Sequence, residues 1–146
     1  MTRAITILAF LLTLTTTYSF AKSDDTISGQ VRVSFKKNFQ HAQIISTEVR
    51  KTFTKLTFKM NDLIMFAYYG ENGELLAVTR NIVSTQLPMN LLINLKSNYS
   101  SYWITDLFEL SGEGQDSYYV SLENADSKIT LHSVGDTWEV YTSVKK

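Results

Sequence analysis

The chain has 146 residues, no cysteine, one proline, and 14 basic against 14 acidic side chains, so its formal net charge is zero. This length is typical of one domain, or of one domain built from two similar halves. A neutral chain lacks the excess positive charge on which broad binding to nucleic acids or acidic membranes depends. The absence of cysteine excludes disulfides, thiolate nucleophiles, cysteine-ligated zinc and iron–sulfur clusters, and we predict no cofactor.

Residues 1–21 have the pattern of a secretory signal peptide. Arg3 supplies a positive start, a mostly apolar run extends over 5–14, and Ser19-Phe20-Ala21 fits a cleavage site. A membrane anchor would need about 20 apolar residues, and this run is shorter. We therefore predict export to the periplasm or the cell exterior, with no stable membrane insertion after cleavage. A flexible polar leader is predicted over 22–27.

Residues 28–84 predict one helix followed by four strands. Ser28 is a typical N-cap residue, and the apolar side chains behind it recur at helical spacing. These side chains are Val31, Phe35, Phe39 and Ala42. The period then changes to two, which predicts strands over Gln43–Arg50, Phe53–Met60, Asp62–Tyr69 and Leu75–Val83. Asn72-Gly73 predicts a tight hairpin, in which both residues would take positive φ.

Residues 85–146 predict the same order of elements. Pro88 suits the first turn of a helix, and a helical apolar stripe follows it. The stripe contains Leu91, Leu92, Leu95, Tyr99 and Tyr102. Alternating patterns then predict strands over Trp103–Leu110, Ser117–Asn124, Lys128–Ser133 and Thr137–Val144.

These patterns predict an α+β fold in a single domain over 28–146. We expect two tandem helix-plus-four-strand repeats, at 28–84 and 85–146, that form one antiparallel sheet with the helices packed on one face. The other face would remain exposed, as antiparallel sheets allow. In the third strand, odd positions such as Met65 and even positions such as Phe66 lie on opposite faces. The alternation does not decide which set meets the helices.

The order of these motifs resembles a known family. The motifs are the signal peptide, the helical stripe from Val31, a turn at Asn61, the Tyr68-Tyr69-x-Glu71-Asn72-Gly73 segment and the Leu87-Pro88 helix start. Together they are similar to the beta-lactamase-inhibitor-like, PepSY-like proteins exported by Bacteroidetes. The resemblance implies helices on one side of an antiparallel sheet, whose bare face grips a partner protein in the inhibitors. Those inhibitors contain disulfides, and this chain has no cysteine.

The sequence contains no arrangement typical of a catalytic site. His41 is expected to end the first helix, where a cation complements the helix dipole. His132 has the opposite strand parity to Ile129 and Leu131, so it should face the polar side, near Tyr119 and Tyr141. Two histidines at unrelated positions make a weak metal site, and we predict none.

Aromatic residues are 12% of the chain and occur at both strand parities, so some should lie on the exposed sheet face. Such side chains contribute a large contact area at a low entropic cost. The predicted binding residues are Phe66, Tyr68, Trp103, Tyr119, His132 and Tyr141.

The sequence therefore favours an exported, non-enzymatic module that binds a protein or peptide, for example as an inhibitor, through the open sheet face. The alternative is a small-ligand carrier or an enzyme with a cleft around His132 or His41. A third possibility is a homodimer that uses the sheet face on itself, so the oligomeric state, monomer or homodimer, stays open.

Overall fold

A computed structural model of the protein describes residues 27–112 and 116–146. The predicted signal peptide and residues 22–26 of the predicted leader lie outside the described residues. Within these residues there are two α-helices, α1 (Gly29–Asn38) and α2 (Met89–Asn98), with a short 3₁₀ turn over Ser84–Gln86 before α2. The eight strands are β1 (Gln43–Val49), β2 (Thr54–Met60), β3 (Leu63–Tyr69), β4 (Leu75–Asn81), β5 (Trp103–Ser111), β6 (Asp116–Glu123), β7 (Ser127–Val134) and β8 (Thr137–Lys145).

The eight strands form one antiparallel sheet in which the spatial order follows the chain order, from β1 to β8. The predicted α+β class is therefore confirmed, and every predicted strand is present with its ends within two residues of the expected positions. The chain divides into two compact units, one up to Val78 and one from Thr79 onward.

The core of the first unit lies between α1 and one face of β2 and β3. Ser28 caps α1 as predicted, because its Oγ accepts a hydrogen bond from the Val31 N–H at 3.2 Å. Val31 and Phe35 are buried, and the Phe35 ring meets the Phe58 ring edge-on with the centroids 5.1 Å apart. The face that contacts α1 is the odd-numbered one in β3, with Met65, Ala67 and Tyr69.

The end of α1 differs from the prediction for His41. The helix ends at Asn38 and is capped by Phe39, whereas His41 follows in a turn with a φ of 66°. Phe39 and Ala42 still pack against the same apolar cluster, which explains why the apolar spacing in the sequence continues past the end of the helix. His41 is therefore not part of the helix, and the expectation that it caps the helix dipole is wrong.

The turn between β3 and β4 is a hairpin built around Gly73. The Gly73 N–H donates to the Gly70 carbonyl at 3.0 Å, and the Gly70 N–H donates to the Glu74 carbonyl at 2.9 Å. Gly73 has a φ of 78°, while Asn72 does not take the predicted positive φ and instead accepts the Glu74 N–H through Oδ1. This is the three-residue type of hairpin loop, which needs a left-handed residue at one position only.

The core of the second unit lies between α2 and one face of β5–β8. Leu91 and Leu95 of α2 are buried among aliphatic side chains of the strands. The strand side chains are Leu107, Val120, Leu122, Ile129 and Leu131. Trp138 of β8 belongs to the same cluster, and its Nε1–H donates to the Leu91 carbonyl at 2.9 Å. This bond ties α2 to the last strand of the sheet.

Candidate functional site

The strand pairing defines a second face in the second unit, on the side of β5–β8 away from α2. We call it the open face. In β7, Leu131 packs in the core and His132 points the other way, as the alternation predicts. The registers place on this face, among others, Trp103, Asp106, Phe108, Tyr119, Ser121, Glu123, Lys128, Thr130, His132, Glu139 and Thr142. Ring contacts with Tyr119 and His132 place Tyr141 there as well.

An aromatic row crosses the open face, formed by Phe108, Tyr119, His132 and Tyr141. The rings of Phe108 and Tyr119 stack with their centroids 5.3 Å apart, and the Tyr119 and His132 rings are 6.0 Å apart at an angle of 27°. Tyr141 stands edge-on to both Tyr119 and His132, at 6.0 Å from each. The predicted contact of His132 with these two tyrosines is thus present.

A bulge in β8 shapes one end of the aromatic row. Val140 pairs with Leu131 and Thr142 pairs with Thr130, so Tyr141 is an extra residue on the β8 side. A bulge of this kind bends the strand and can re-aim a side chain. Here it brings the Tyr141 ring over the strand to His132 and Tyr119.

His132 is held by ring contacts rather than by hydrogen bonds. Its Nδ1 is buried and has no hydrogen-bond partner among the described residues. Its Nε2 lies 3.9 Å from Glu139 Oε2, and the Glu139 side chain is 61% exposed. This distance exceeds that of a hydrogen bond. The pair therefore lacks the close, buried base–carboxylate contact that a catalytic histidine uses.

The aromatic row is partly shielded from water. Phe108 is buried, while Tyr119, His132 and Tyr141 are half-buried. Burial raises the pKa of Tyr119 above its usual value, and the neighbouring Tyr141 hydroxyl adds to this increase. The row therefore presents ring surface whose side chains are already held by mutual contact, so they lose little rotamer freedom when a partner covers them.

A row of short polar side chains runs beside the aromatic row. Ser121 and Thr130 are buried, and their hydroxyls are 3.2 Å apart. Asp106 pairs with Ser121 across the strands. Burial raises the pKa of Asp106, while a bond from the Leu107 N–H and the positive charge of Lys128 act in the opposite direction. This row supplies hydrogen-bonding groups next to the rings.

Trp103 occupies the other end of the open face. Its ring is 53% exposed, and Lys146 Nζ lies 5.6 Å above the ring centroid. Lys146 also contacts Glu123 Oε1 at 2.6 Å, which lowers the pKa of Glu123. Trp103 is thus an exposed aromatic group that shares the face with the aromatic row but lies outside it.

The first unit contains the remaining predicted residues. Phe66 and Tyr68 lie on the side of β3 away from α1, as their parity requires. Lys55 Nζ sits 4.9 Å over the half-buried Phe66 ring. Tyr68 is only 1% exposed, so it offers no surface to a ligand. His41 also lies in the first unit, so the two histidines belong to different units.

The described residues contain neither a metal-binding group of side chains nor a helix that could span a membrane. Within 27–112 and 116–146, no group of three or more His, Cys, Asp or Glu side chains is arranged to hold a metal ion. In the same part of the chain, neither helix has the length and hydrophobicity needed to span a bilayer.

The fold is similar to several solved structures from Bacteroides. A DUF2874 family protein from Bacteroides ovatus has a TM-score of 0.72 and 15% identity, over 83% of this chain and 89% of that one. A BLIP-like protein from Bacteroides fragilis has a TM-score of 0.67 and 16% identity, over 81% and 85%. A protein predicted to be periplasmic, from Bacteroides eggerthii, has a TM-score of 0.68 and 14% identity, over 81% and 88%.

These likenesses concern the fold alone, because the identities are low. The predicted resemblance to beta-lactamase-inhibitor-like proteins of Bacteroidetes is confirmed at that level. No sequence model of a known family matches the chain, and no curated protein matches it significantly.

Some residues of the open face were not singled out from the sequence. Phe108 has the parity of Asp106 and opposite parity to Leu107, so the alternation of β5 contains the signal for it. Lys146 had no such signal, because its contact with Trp103 joins residues far apart in the chain. The grouping of Asp106 with Ser121 needed the register of β5 on β6, which is shifted between Ile104 and Asp106.

Proposed function

We propose that the protein is an exported, non-enzymatic binding module whose open face holds a protein or peptide partner. The observation that carries the proposal is the aromatic row, in which Tyr119, His132 and Tyr141 present ring surface on a sheet face that α2 does not cover. Rings fixed by mutual contact lose little entropy on binding, so they are effective anchors. Inhibition of the partner is one form that this role can take.

The fold comparisons support the proposal at the level of architecture. One neighbour is BLIP-like and another is predicted to be periplasmic. The expected location, in the periplasm or outside the cell, agrees with the second description. We also propose that the chain consists of two copies of one helix-plus-four-strand unit. The observed order of helices and strands supports this arrangement. Similarity of fold alone does not identify a binding partner, so the partner has to be identified by experiment.

Capture from a periplasmic extract of the source cells tests the proposal. Immobilised protein should retain a specific partner, and the double variant Tyr119→Ala/Tyr141→Ala should retain less than about a tenth of it, since hot-spot aromatic residues contribute about 2 kcal/mol or more each. Ile93→Ala is the matched control, because Ile93 is a 56% exposed apolar residue on α2 of the same unit. Retention by the double variant at the wild-type level would refute the proposal.

A second pair of variants shows whether the tyrosine rings or their hydroxyls contact the partner. Tyr119→Phe and Tyr141→Phe keep both rings and remove only the hydroxyls, so they should retain most of the captured partner. Circular dichroism of each variant checks that the sheet is intact. If the phenylalanine variants bind as poorly as the alanine variants while folded, the hydroxyls rather than the rings make the contact.

The structure does not favour the enzyme or small-ligand alternative around His132. The imidazole contacts rings on both sides, and its nearest carboxylate is the largely exposed Glu139 at 3.9 Å. His41 is exposed in the turn after α1. Among the described residues, neither histidine has a hydrogen-bonded carboxylate of the kind from which a general base draws its reactivity.

A further inference from the structure

Two carboxylates lie near opposite ends of the aromatic row. Asp106 is two residues before Phe108 on β5, so its side chain is on the same face, about 7 Å away along the strand. Glu139 pairs with His132 across β7 and β8, at the other end of the row. The rings of the row therefore lie between two acidic side chains that belong to different strands.

Neither carboxylate is held by a lysine or arginine of the described residues. Burial raises the pKa of Asp106 more than the charge of Lys128 lowers it. Glu139 has only the 3.9 Å approach of His132, and its side chain is 61% exposed. Ionisable groups with a perturbed pKa are concentrated at functional sites. Asp106 is therefore a charge that the fold holds at a cost beside the rings.

Elsewhere the chain places its own ammonium groups on aromatic rings. Lys55 Nζ lies 4.9 Å from the centroid of the Phe66 ring, and Lys146 Nζ lies 5.6 Å from that of the Trp103 ring. No lysine or arginine of the described residues lies in this way over a ring of the aromatic row. Because the quadrupole of a ring attracts a cation to its face, this kind of contact is left for a partner to make.

The charge of the second unit favours a basic partner as well. Thr79–Lys146 contains eight acidic and five basic side chains, which gives it a formal net charge of −3. Residues 27–78 contain four acidic and seven basic side chains, a formal net charge of +3. An acidic surface attracts basic partners and repels acidic ones. The charge of the whole unit and the carboxylates beside the rings thus select the same kind of partner.

We propose that the partner of the open face presents a basic side chain, arginine or lysine, that lies on the aromatic row and pairs with Asp106. This inference rests on the proposed binding function and adds the chemistry of the partner to it. Arginine fits best, because its planar guanidinium can stack on a ring and donate two hydrogen bonds to a carboxylate. Glu139 adds to the attraction from the other end of the row.

Selection from a phage library of random linear peptides tests the inference. The immobilised full chain should enrich peptides that contain arginine or lysine next to an apolar residue. Fluorescence polarisation of a labelled selected peptide then measures its dissociation constant. Asp106→Asn should raise this constant about tenfold, because the charge that pairs with the peptide is lost. Asp126→Asn is the matched control, since it removes the same charge from an exposed turn of the same unit, and should change the constant less than about twofold.

A change in the peptide shows whether Asp106 meets the basic side chain. A peptide with glutamine in place of the selected arginine or lysine should bind the wild type about tenfold more weakly. It should bind Asp106→Asn as tightly as the wild type, within about twofold, because the two changes remove the same contact. This comparison does not depend on the stability of the variant, and circular dichroism checks its fold.

The outcomes separate this inference from the proposed function. The inference is overturned if no peptide is enriched, if the enriched peptides lack basic residues, or if Asp106→Asn binds them as the wild type does. The proposed function survives these results when the partner captured from the extract is still lost in Tyr119→Ala/Tyr141→Ala. Selected peptides that bind Tyr119→Ala/Tyr141→Ala as tightly as the wild type would refute the open face as their site.

Discussion

The two faces of the second unit are built from the same four strands but by different means. The centre of the face against α2 is apolar and buried, and there the Trp138 indole donates a hydrogen bond to the Leu91 carbonyl. The open face combines half-buried rings with short polar side chains. The alternation of a strand places neighbours such as Leu131 and His132 on opposite faces, so one strand supplies side chains to both.

The two faces show that a side chain on a sheet can be partly buried by its neighbours and still be accessible to a partner. The rings of the open face are shielded mainly by one another, at centroid distances of 5.3 to 6.0 Å. The side chains of the helix-covered face are shielded by α2. Substitutions on the first face should therefore cost less stability than substitutions on the second.

The largest expected effect is that of Leu131→Ala. Leu131 is fully buried in the α2-facing core. Removing a buried leucine costs the transfer free energy of the lost atoms together with a cavity term, about 2–5 kcal/mol. Urea denaturation should show this loss, whereas His132→Ala at the next position should cost about 1 kcal/mol or less. Equal losses for the two variants would contradict the assignment of the faces.

A smaller loss is expected for Trp138→Phe. The variant keeps an aromatic ring in the core but removes the Nε1–H that donates to the Leu91 carbonyl at 2.9 Å. The lost hydrogen bond and the smaller ring together should cost about 1–2 kcal/mol. Thermal denaturation measures the change, and hydrogen exchange should be faster in the α2 amides. A variant as stable as the wild type would show that the bond does not hold α2.

Tyr141→Ala should cost less again. It removes two edge-on ring contacts on the open face, each worth about 0.5–1.5 kcal/mol at most, from a residue that is only half-buried. We expect a loss near 1 kcal/mol in urea denaturation, with little change in the slope of the transition. A loss as large as that of Leu131→Ala would mean that the aromatic row is part of the core.

The smallest predicted effect is a gain from Asp106→Asn. Burial raises the pKa of Asp106, so the folded state is penalised at pH values above that pKa, where the carboxylate is charged. The amide carries no charge, so the variant should be more stable at pH 7 by less than about 1 kcal/mol. The gain should disappear near pH 3, where the wild-type carboxyl is protonated in both states. A gain that persists at pH 3 would exclude desolvation of the charge as its cause.

Much of the fold followed from alternation and turn residues. All eight strands were predicted because period two is maintained along each of them, and the capping role of Ser28 followed from its position before an apolar helical stripe. The end of α1 was misplaced because Phe39 and Ala42 keep facing the same cluster after the helix has stopped. Because these two side chains pack against the same core as the helix, their spacing in the sequence resembles that of a helix.

The site was predicted less completely, because parity gives the face of a side chain but not what covers it. Parity placed His132 with Tyr119 and Tyr141, and the ring contacts agree. It also placed Phe66 and Tyr68 together, yet Tyr68 is fully buried and Phe66 is not. Coverage depends on contacts between distant parts of the chain, which no local pattern encodes.

Hydroxyl-radical footprinting of the protein, alone and with its captured partner, tests the central claim most directly. Tyr141 and Trp103 on the open face should be oxidised in the free protein and protected in the complex. Met89, which is 67% exposed on α2, is the internal reference and should be oxidised equally in both. Protection of Met89, with Trp103 and Tyr141 still reactive in the complex, would contradict the account.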